Sequence, residues 1–416
     1  MNTAATASAV DSASSIPLRQ DATVIGLVGL AHGTSHFFHM LLAPLFPIFI
    51  LEFGLSFAQV GLLTTAFFVV SGVGQAMAGF VVDRLGARPI LFGALCIFAV
   101  SALVASSATG MASLLAAAVL AGLGNASFHP VDFTIMNQRV SAQRLVHSYC
   151  IHCISGSLGW AVAPAFLLGV TTLSNWRTAY IAAALLALGV LLVLVLNRQQ
   201  IATSVIASHA GNTPATGQKG LKSEGDLAFI RLPVVWWCFG FFLLSTMTVA
   251  VIQSFSASIL KALHGISFEA ATMTLSAYML CAALGAVVGG FVVGKAQRSE
   301  RVVIGAMVAG GVLLGLSATG WLGAAGTVVV LAATGFAVGV GGPSRDMMIK
   351  RATPKGATGR VYGMVYSGLD VGFAVSPLVF GLLMDRGHFA ATLAGAALVL
   401  LASAGVAYSV GRRTQE

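Results

Sequence analysis

The sequence predicts an all-α integral membrane fold with twelve transmembrane helices in two pseudo-symmetric six-helix bundles. Three observations predict it: the composition, twelve long apolar segments, and a repeat that relates the two halves of the chain. Hydrophobic residues make up 57% of the 416 residues and charged residues only 8%. Because a soluble domain of this size exposes far more charge, we place the chain in a lipid bilayer.

Twelve segments are apolar over the roughly 20 residues that a helix needs to cross a bilayer. Glycine and proline occur within them, which transmembrane helices tolerate. The short alternating segments typical of a membrane β-barrel do not occur. The predicted spans, numbered 1 to 12, lie near residues 24–51, 57–82, 90–108, 111–136, 147–170, 178–197, 232–259, 267–293, 302–320, 323–349, 361–383 and 389–410.

The second half of the chain repeats parts of the first half. Residues 54–82 align with residues 265–293 without a gap, and residues 159–164 align with residues 372–377. Single short matches are common in a chain rich in glycine, alanine and valine, but two blocks at nearly one spacing are not. Membrane proteins built from two like halves hold their site between the halves.

The loops divide the chain into four parts. Residues 1–21 are polar and rich in alanine and serine, and we expect a disordered cytoplasmic tail. Residues 198–228 contain Gly, Pro, Lys and Glu and are expected to form a cytoplasmic linker. The N-terminal bundle is then 22–197 and the C-terminal bundle 229–411.

The positions of the charges behind the net charge of +9 indicate how the chain is oriented in the membrane. Most lysines and arginines lie in loops on the side of the termini, and the opposite loops hold only Arg177, Lys261 and Arg386. The positive-inside rule therefore predicts that both termini are cytoplasmic. This distribution explains the basic composition without a nucleic-acid partner.

A motif follows the second predicted span and reads Gly79-Phe-Val-Val-Asp83-Arg84-Leu-Gly86-Ala-Arg88. It resembles the loop 2–3 signature of the major facilitator superfamily, G-x-x-x-D-R-x-G-x-R. The resemblance implies a gating latch that stabilises the outward-facing state. We expect Gly79 to allow close helix packing and Asp83 to pair with an arginine or a helix N-terminus.

Two further patterns narrow the resemblance. Phe128-His129-Pro130 on span 4 resembles the fosmidomycin-resistance branch of efflux proteins, and Gly156, Gly159 and Pro164 on span 5 resemble the packing motif of antiporters. The resemblance implies a monomeric secondary transporter of the bacterial inner membrane, without a cofactor or enzymatic activity. Its partners are then the lipid bilayer, a small-molecule substrate and protons.

Ionisable residues at membrane depth are costly and usually face a cavity. Spans 3, 6, 9 and 12 carry none, in agreement with the outer layer that the resemblance implies. Histidine titrates near neutral pH, so a histidine beside a carboxylate suits proton transfer. We expect proton coupling from Asp132 with His129, and from Asp370. The candidates for the substrate pathway are His32, His36, His39, His152, Arg345 and Asp346.

Several interpretations remain open at this stage. The histidines of span 1 are equally compatible with hydrogen bonds between helices, and Arg345 with Asp346 with a structural ion pair. Transport direction is open too: efflux is favoured by the motifs, whereas Arg345 favours proton-linked uptake of a small organic anion.

Classes other than a transporter have weaker support. No G-x-x-x-x-G-K-[ST] loop for ATP occurs. The histidines at positions 32, 36 and 39 resemble one box of a membrane di-iron enzyme, but no second box occurs along the chain, so no metal is expected. A receptor that binds without translocating is the remaining alternative.

Overall fold

The computed structural model describes residues 17–203, 231–296, 298–352 and 358–413. Secondary structure in these ranges is helical, with no strand assigned in them. The helices are α1 Leu18–His39, α2 Phe46–Phe53, α3 Phe57–Leu85, α4 Ala87–Ser106, α5 Met111–Asn125, α6 Phe128–Arg139, α7 Leu145–Leu173, α8 Trp176–Leu196, α9 Pro233–His264, α10 Phe268–Lys295, α11 Ser299–Ala318, α12 Gly323–Ala352, α13 Thr358–Asp385 and α14 Phe389–Arg413.

These helices form 12 membrane-spanning stretches in the described residues. Helices α1 and α2 together make span 1, and α5 and α6 together make span 4; each other helix makes one span. The chain is therefore a multi-pass integral membrane protein, and the predicted fold class is confirmed.

The two halves pair most of their spans in the same way. In the first half, span 1 packs on span 5, span 2 on span 4, and span 3 on spans 4 and 6. Adding six to each number gives pairs that also pack in the second half: 7 with 11, 8 with 10, and 9 with 10 and 12. The halves meet through spans 2 and 11 and through spans 5 and 8. Exchanging the halves converts one of these contacts into the other, so the bundles are related by a near-twofold axis.

Small residues let the spans approach closely, because lipid supplies no hydrophobic drive for helix association. Spans 8 and 10 illustrate this. A Cβ added at Gly285 would overlap the backbone oxygen of Phe336, and one added at Gly339 would overlap that of Ala282. Each glycine thus removes the side chain that would hold the two backbones apart.

Span 1 begins earlier than its sequence predicts. Helix α1 starts at Leu18 rather than near residue 24, so the expected tail of residues 1–21 is too long by about one helical turn. The carboxylate of Asp21 is buried and bonds to Arg144 at 2.8 Å and to the backbone N–H of Ser141 at 3.1 Å. These partners stabilise a helical turn that hydropathy alone does not reveal. Residues 1–16, and most of the predicted linker, lie outside the described residues.

Spans 1 and 4 are both interrupted. Span 1 breaks after His39 and continues at Phe46, with Pro44 in the connecting turn. Span 4 breaks after Asn125 and resumes at Phe128, with Pro130 in the first turn of α6. Proline has no backbone N–H to donate, which favours such breaks. Both breaks lie beside the polar residues described next.

Candidate functional site

A buried carboxylate forms the centre of the polar site in the N-terminal bundle. Oδ2 of Asp132 lies 3.0 Å from Nδ1 of His32 and 3.1 Å from Nε2 of His152. All three side chains are at least 95% buried. The other oxygen, Oδ1, is buried with no hydrogen-bond partner in the described residues. One carboxylate therefore joins histidines from spans 1 and 5 to span 4.

Five histidines surround this carboxylate and form, with it, the histidine cluster: His32, His36, His39, His129, His152 and Asp132. The rings of His32 and His152 stack at 3.4 Å between centroids, and His129 lies 5.3 Å from His32. His36 stands 4.5 Å from His32 and 4.7 Å from His39. His32, His36 and His39 lie on one side of span 1 and thus extend the cluster along the helix, one turn at a time.

Asn125 connects the far end of the cluster to span 2. Its Oδ1 accepts hydrogen bonds from Nε2 of His39 at 2.9 Å and from the hydroxyl of Ser35 at 2.6 Å. Its Nδ2 donates to Oγ of Ser71 at 2.8 Å. Trp160 donates to Nδ1 of His39 at 3.3 Å, which matches an Nε2–H tautomer of that ring. A chain of polar groups therefore runs from Asp132 to Ser71, with hydrogen bonds at both ends and ring contacts of His36 in the middle.

The glycines of span 5 contact the cluster and its helix directly. A Cβ added at Gly156 would lie 2.8 Å from Nδ1 of His36 and 3.0 Å from Nε2 of His32. One added at Gly159 would overlap the backbone oxygen of Gly33. Gly156 therefore makes room for imidazole rings, whereas Gly159 makes room for the backbone of span 1. Pro164 lies inside the same helix.

Asp370 lies where span 11 meets span 2. A Cβ added at Gly72 would be 3.3 Å from the Cβ of Asp370, and Gly72 follows Ser71, the last member of the polar chain. The aromatic rings of Phe68 and Phe373 stack at 4.3 Å beside this contact. Asp370 therefore stands across the bundle interface from the end of the histidine network.

Arg345 and Asp346 pair with each other on span 10. Nε of Arg345 lies 2.9 Å from Oδ1 of Asp346, and the two side chains are 32% and 41% exposed. The guanidinium stands 4.8 Å from the ring of Phe242. The ion-pair alternative thus describes the contact.

The expected gating motif forms the turn between spans 2 and 3. Gly86 adopts φ +82°, a conformation that favours glycine. Arg88 reaches the backbone oxygen of Arg198 at 3.4 Å, and the N–H of Ala87 bonds Oγ1 of Thr203 at 3.1 Å. The motif therefore binds the start of the linker. Arg84 is exposed, and the side chain of Asp83 lies outside the part of the chain that the structure describes.

Among the described residues, no close packing is seen at Gly79: a Cβ added there would meet none of their atoms within 4 Å. The close approach occurs at Gly74, where a Cβ would lie 2.7 Å from that of Ala126. The motif residue sits beyond the point at which spans 2 and 4 converge.

Comparison with known proteins identifies the family. Residues 28–327 and 238–416 match the family model of the Major Facilitator Superfamily. The chain belongs to the major facilitator superfamily. Its members are transporters of small molecules and not enzymes, so the di-iron alternative is set aside.

Individual relatives agree with the family. The fosmidomycin resistance protein of Escherichia coli (strain K12) is 26% identical over 69% of this chain and 68% of its own length. The "Probable sulfoacetate transporter SauU" of Cupriavidus necator is 21% identical over 87% of each chain. A solved bacterial homolog of the human lysosomal transporter Spinster superposes with a TM-score of 0.74, at 16% identity, over 96% of this chain and 98% of that one. The predicted resemblance to the superfamily and to its fosmidomycin-resistance branch is confirmed.

Sequence reasoning missed two parts of the site. It singled out His129 as the partner of Asp132, whereas the hydrogen bonds of Asp132 go to His32 and His152. It did not select Asn125 or Ser71. The available signal for Asn125 was an amide in an apolar span, one turn before His129.

Proposed function

We propose that this chain is a proton-coupled secondary transporter that exports a small organic molecule by alternating access. The observation that carries the proposal is the histidine cluster: a buried carboxylate hydrogen-bonded to two histidines inside a two-bundle transporter fold. Protonation is the ordinary reaction of imidazole near neutral pH. Buried ionisable groups in membrane spans commonly serve such relays.

The coupling residues in this proposal are Asp132 with its surrounding histidines, His129 among them, and Asp370 across the interface. The polar chain through Asn125 ends at Ser71, next to the residue that touches Asp370. Gain or loss of a proton in the cluster changes the charge near the interface between the two bundles. This supports a coupling between protonation and the relative position of the bundles.

Export is the proposed direction because the span 4 and span 5 motifs resemble efflux proteins and one relative is a fosmidomycin resistance protein. We further propose the bacterial inner membrane, cytoplasmic termini and a monomer. Growth inhibition by fosmidomycin tests the direction: cells that express the chain should tolerate a higher concentration than cells with the empty vector. Increased sensitivity would contradict export.

Proton coupling is tested with purified protein in liposomes, with labelled fosmidomycin and labelled sulfoacetate as separate probes. The parent should accumulate one probe when a pH gradient is imposed and should also exchange it without a gradient. In Asp132→Asn and Asp370→Asn, gradient-driven accumulation should fall at least about tenfold while exchange is retained, because a neutral side chain cannot carry the coupled proton. Retained exchange also shows that the variant is folded.

His147→Gln is the matched control, because His147 lies on the same helix as His152 but is exposed and outside the cluster. It should leave both reactions unchanged. Gradient-driven accumulation that survives in both aspartate variants would refute the coupling assignment. A parent that binds a probe without any flux would favour the receptor alternative.

A second candidate is proton-linked uptake of a small organic anion. It is favoured by the partly exposed guanidinium of Arg345 and by the sulfoacetate transporter among the relatives. A guanidinium binds carboxylates and sulfonates through paired hydrogen bonds. Inward accumulation of sulfoacetate that Arg345→Gln abolishes would favour this direction over export.

A further inference from the structure

Three histidines of the cluster converge closely enough to share one ion. His32, His129 and His152 come from spans 1, 4 and 5, and each offers a ring nitrogen within 4.8 Å of the others. Residues so far apart in the chain meet only because the three helices pack together around Asp132. No other group of three or more such ligands occurs in the described residues.

The spacing suits a transition-metal ion with small adjustments of the rings. In a tetrahedral site with metal–nitrogen bonds of about 2.0–2.1 Å, ligand nitrogens lie about 3.3 Å apart. From within 4.8 Å of one another, the nitrogens reach that separation by moving about 1 Å or less. The stacked rings of His32 and His152 must also turn so that a nitrogen of each points to the ion. Imidazole is a preferred ligand of Zn²⁺, Ni²⁺ and Cu²⁺, whereas Mg²⁺ and Ca²⁺ prefer oxygen.

Asp132 supplies what a buried cation needs besides its ligands. It bonds two of the three imidazoles and so orients their rings, as carboxylates do around metal-bound histidines. Its negative charge offsets half of the charge of a divalent ion in a region that is almost fully buried. Its Oδ1 and Nδ1 of the neighbouring His36 are both buried without a hydrogen-bond partner among the described residues.

We propose that His32, His129 and His152 form a binding site for one divalent transition-metal ion of the zinc class, with Asp132 as the positioning carboxylate. The three imidazoles leave a fourth coordination position open, as in zinc sites that exchange a ligand. A metal and protons occupy the same nitrogen atoms only in alternation, because a ligand nitrogen must be unprotonated. The site itself does not depend on the proposed transport function.

Equilibrium dialysis of the untagged full chain against Zn²⁺, after treatment with a chelator, tests the proposal. The parent should retain about one Zn²⁺ per chain. His129→Ala and His152→Ala should each weaken binding at least about tenfold, and Asp132→Asn should weaken it by about 10–100-fold, the range seen for residues that orient metal ligands. His147→Ala, which removes an exposed histidine from the helix of His152, should bind like the parent.

Co²⁺ gives a measurement that needs no substitution. A Co²⁺ ion held by three imidazoles in a roughly tetrahedral site absorbs visible light far more strongly than the hydrated ion, and Zn²⁺ should remove that absorption by displacement. The proposal is overturned if the parent binds no Zn²⁺ above the dialysis buffer or leaves the Co²⁺ spectrum unchanged. It is also overturned if a folded His129→Ala or His152→Ala variant binds as tightly as His147→Ala. Flux experiments have no part in these outcomes, so failure of the site and failure of the transport proposal are distinguishable.

Discussion

At the scale of single residues, Asn125 is the side chain on which the polar chain depends. A side-chain amide accepts hydrogen bonds through its oxygen and donates through its nitrogen. Asn125 uses both, because it accepts from His39 and Ser35 and donates to Ser71. The residue is 5% exposed, so water cannot replace these partners easily.

Replacement of Asn125 by leucine should therefore destabilise the protein. The change leaves Nε2 of His39 and two buried hydroxyls without their partner, at about 1–3 kcal/mol for each unsatisfied group. We expect a lower midpoint of thermal unfolding in detergent, measured by tryptophan fluorescence. Asn137→Leu serves as the control, because Asn137 lies in the same span but is exposed. Equal midpoints for the two variants would contradict the role given to Asn125.

At the scale of elements, the interrupted helices and the glycines of span 5 determine how the cluster is assembled. Spans 1 and 4 break just after His39 and Asn125, which turns the polar ends of these helices toward each other. Irregular backbone at membrane depth is tolerated where it is buried in protein. The glycines of span 5 then bring a third helix against the rings.

Two glycine substitutions distinguish the effect of close helix packing from that of belonging to a sequence motif. Gly159→Ala should destabilise the protein by about 1–3 kcal/mol, because the added methyl group overlaps the backbone of span 1 and forces the helices apart. Gly79→Ala should change the free energy of unfolding by less than about 1 kcal/mol, since the methyl group meets no neighbour among the described residues. Urea or thermal titration of both variants in the same detergent gives the comparison. A larger loss at Gly79 would restore the packing role that its motif suggested.

At the scale of the whole molecule, the bundles close against each other on the face opposite the termini. Both carboxylate oxygens of Asp385, at the end of span 11, accept from the first N–H groups of α3: from Phe57 at 2.6 Å and from Ala58 at 3.0 Å. Further along, the hydroxyl of Thr65 bonds the backbone oxygen of Ala374 at 2.5 Å. The line of contact continues to Gly72 and Asp370. The transport cycle proposed above requires these contacts to break.

Asp385→Asn should shift the molecule toward separation of the bundles on that face. An amide has one acceptor oxygen in place of two and loses the attraction of a carboxylate to a helix N-terminus, worth about 0.3–1 kcal/mol. Spin labels at Leu173 and Trp321, which are 89% and 85% exposed on this face, would measure the distance between bundles in a background without the five native cysteines. We expect the variant to show an additional population with a longer distance between the two labels. Glu52→Gln breaks a pair with Arg177 inside one bundle and should leave the distances unchanged.

Much of the architecture could be predicted because its physical causes are local in the chain. Hydropathy over about 20 residues identifies a span whatever its neighbours are, and a repeated sequence implies repeated packing. The start of α1 was missed because Asp21 is stabilised by Arg144, a residue that hydropathy does not connect with it. The motif at Gly79 does not say where two helices converge, and the close contact of span 2 with span 4 lies at Gly74.

The sequence by itself determined that the chain lies in a membrane, that it has twelve spans in two related halves, and which family it belongs to. It also showed which ionisable side chains lie at membrane depth, because the apolar composition of the spans and the helical period are enough to place them. Only the tertiary structure decided which of them touch. The sequence shows no second histidine box to accompany the histidines of span 1. Helix packing, however, brings His129 and His152 to His32 around one carboxylate. Contacts between distant residues depend on how helices cross and rotate, and that geometry is set by many small packing interactions at once.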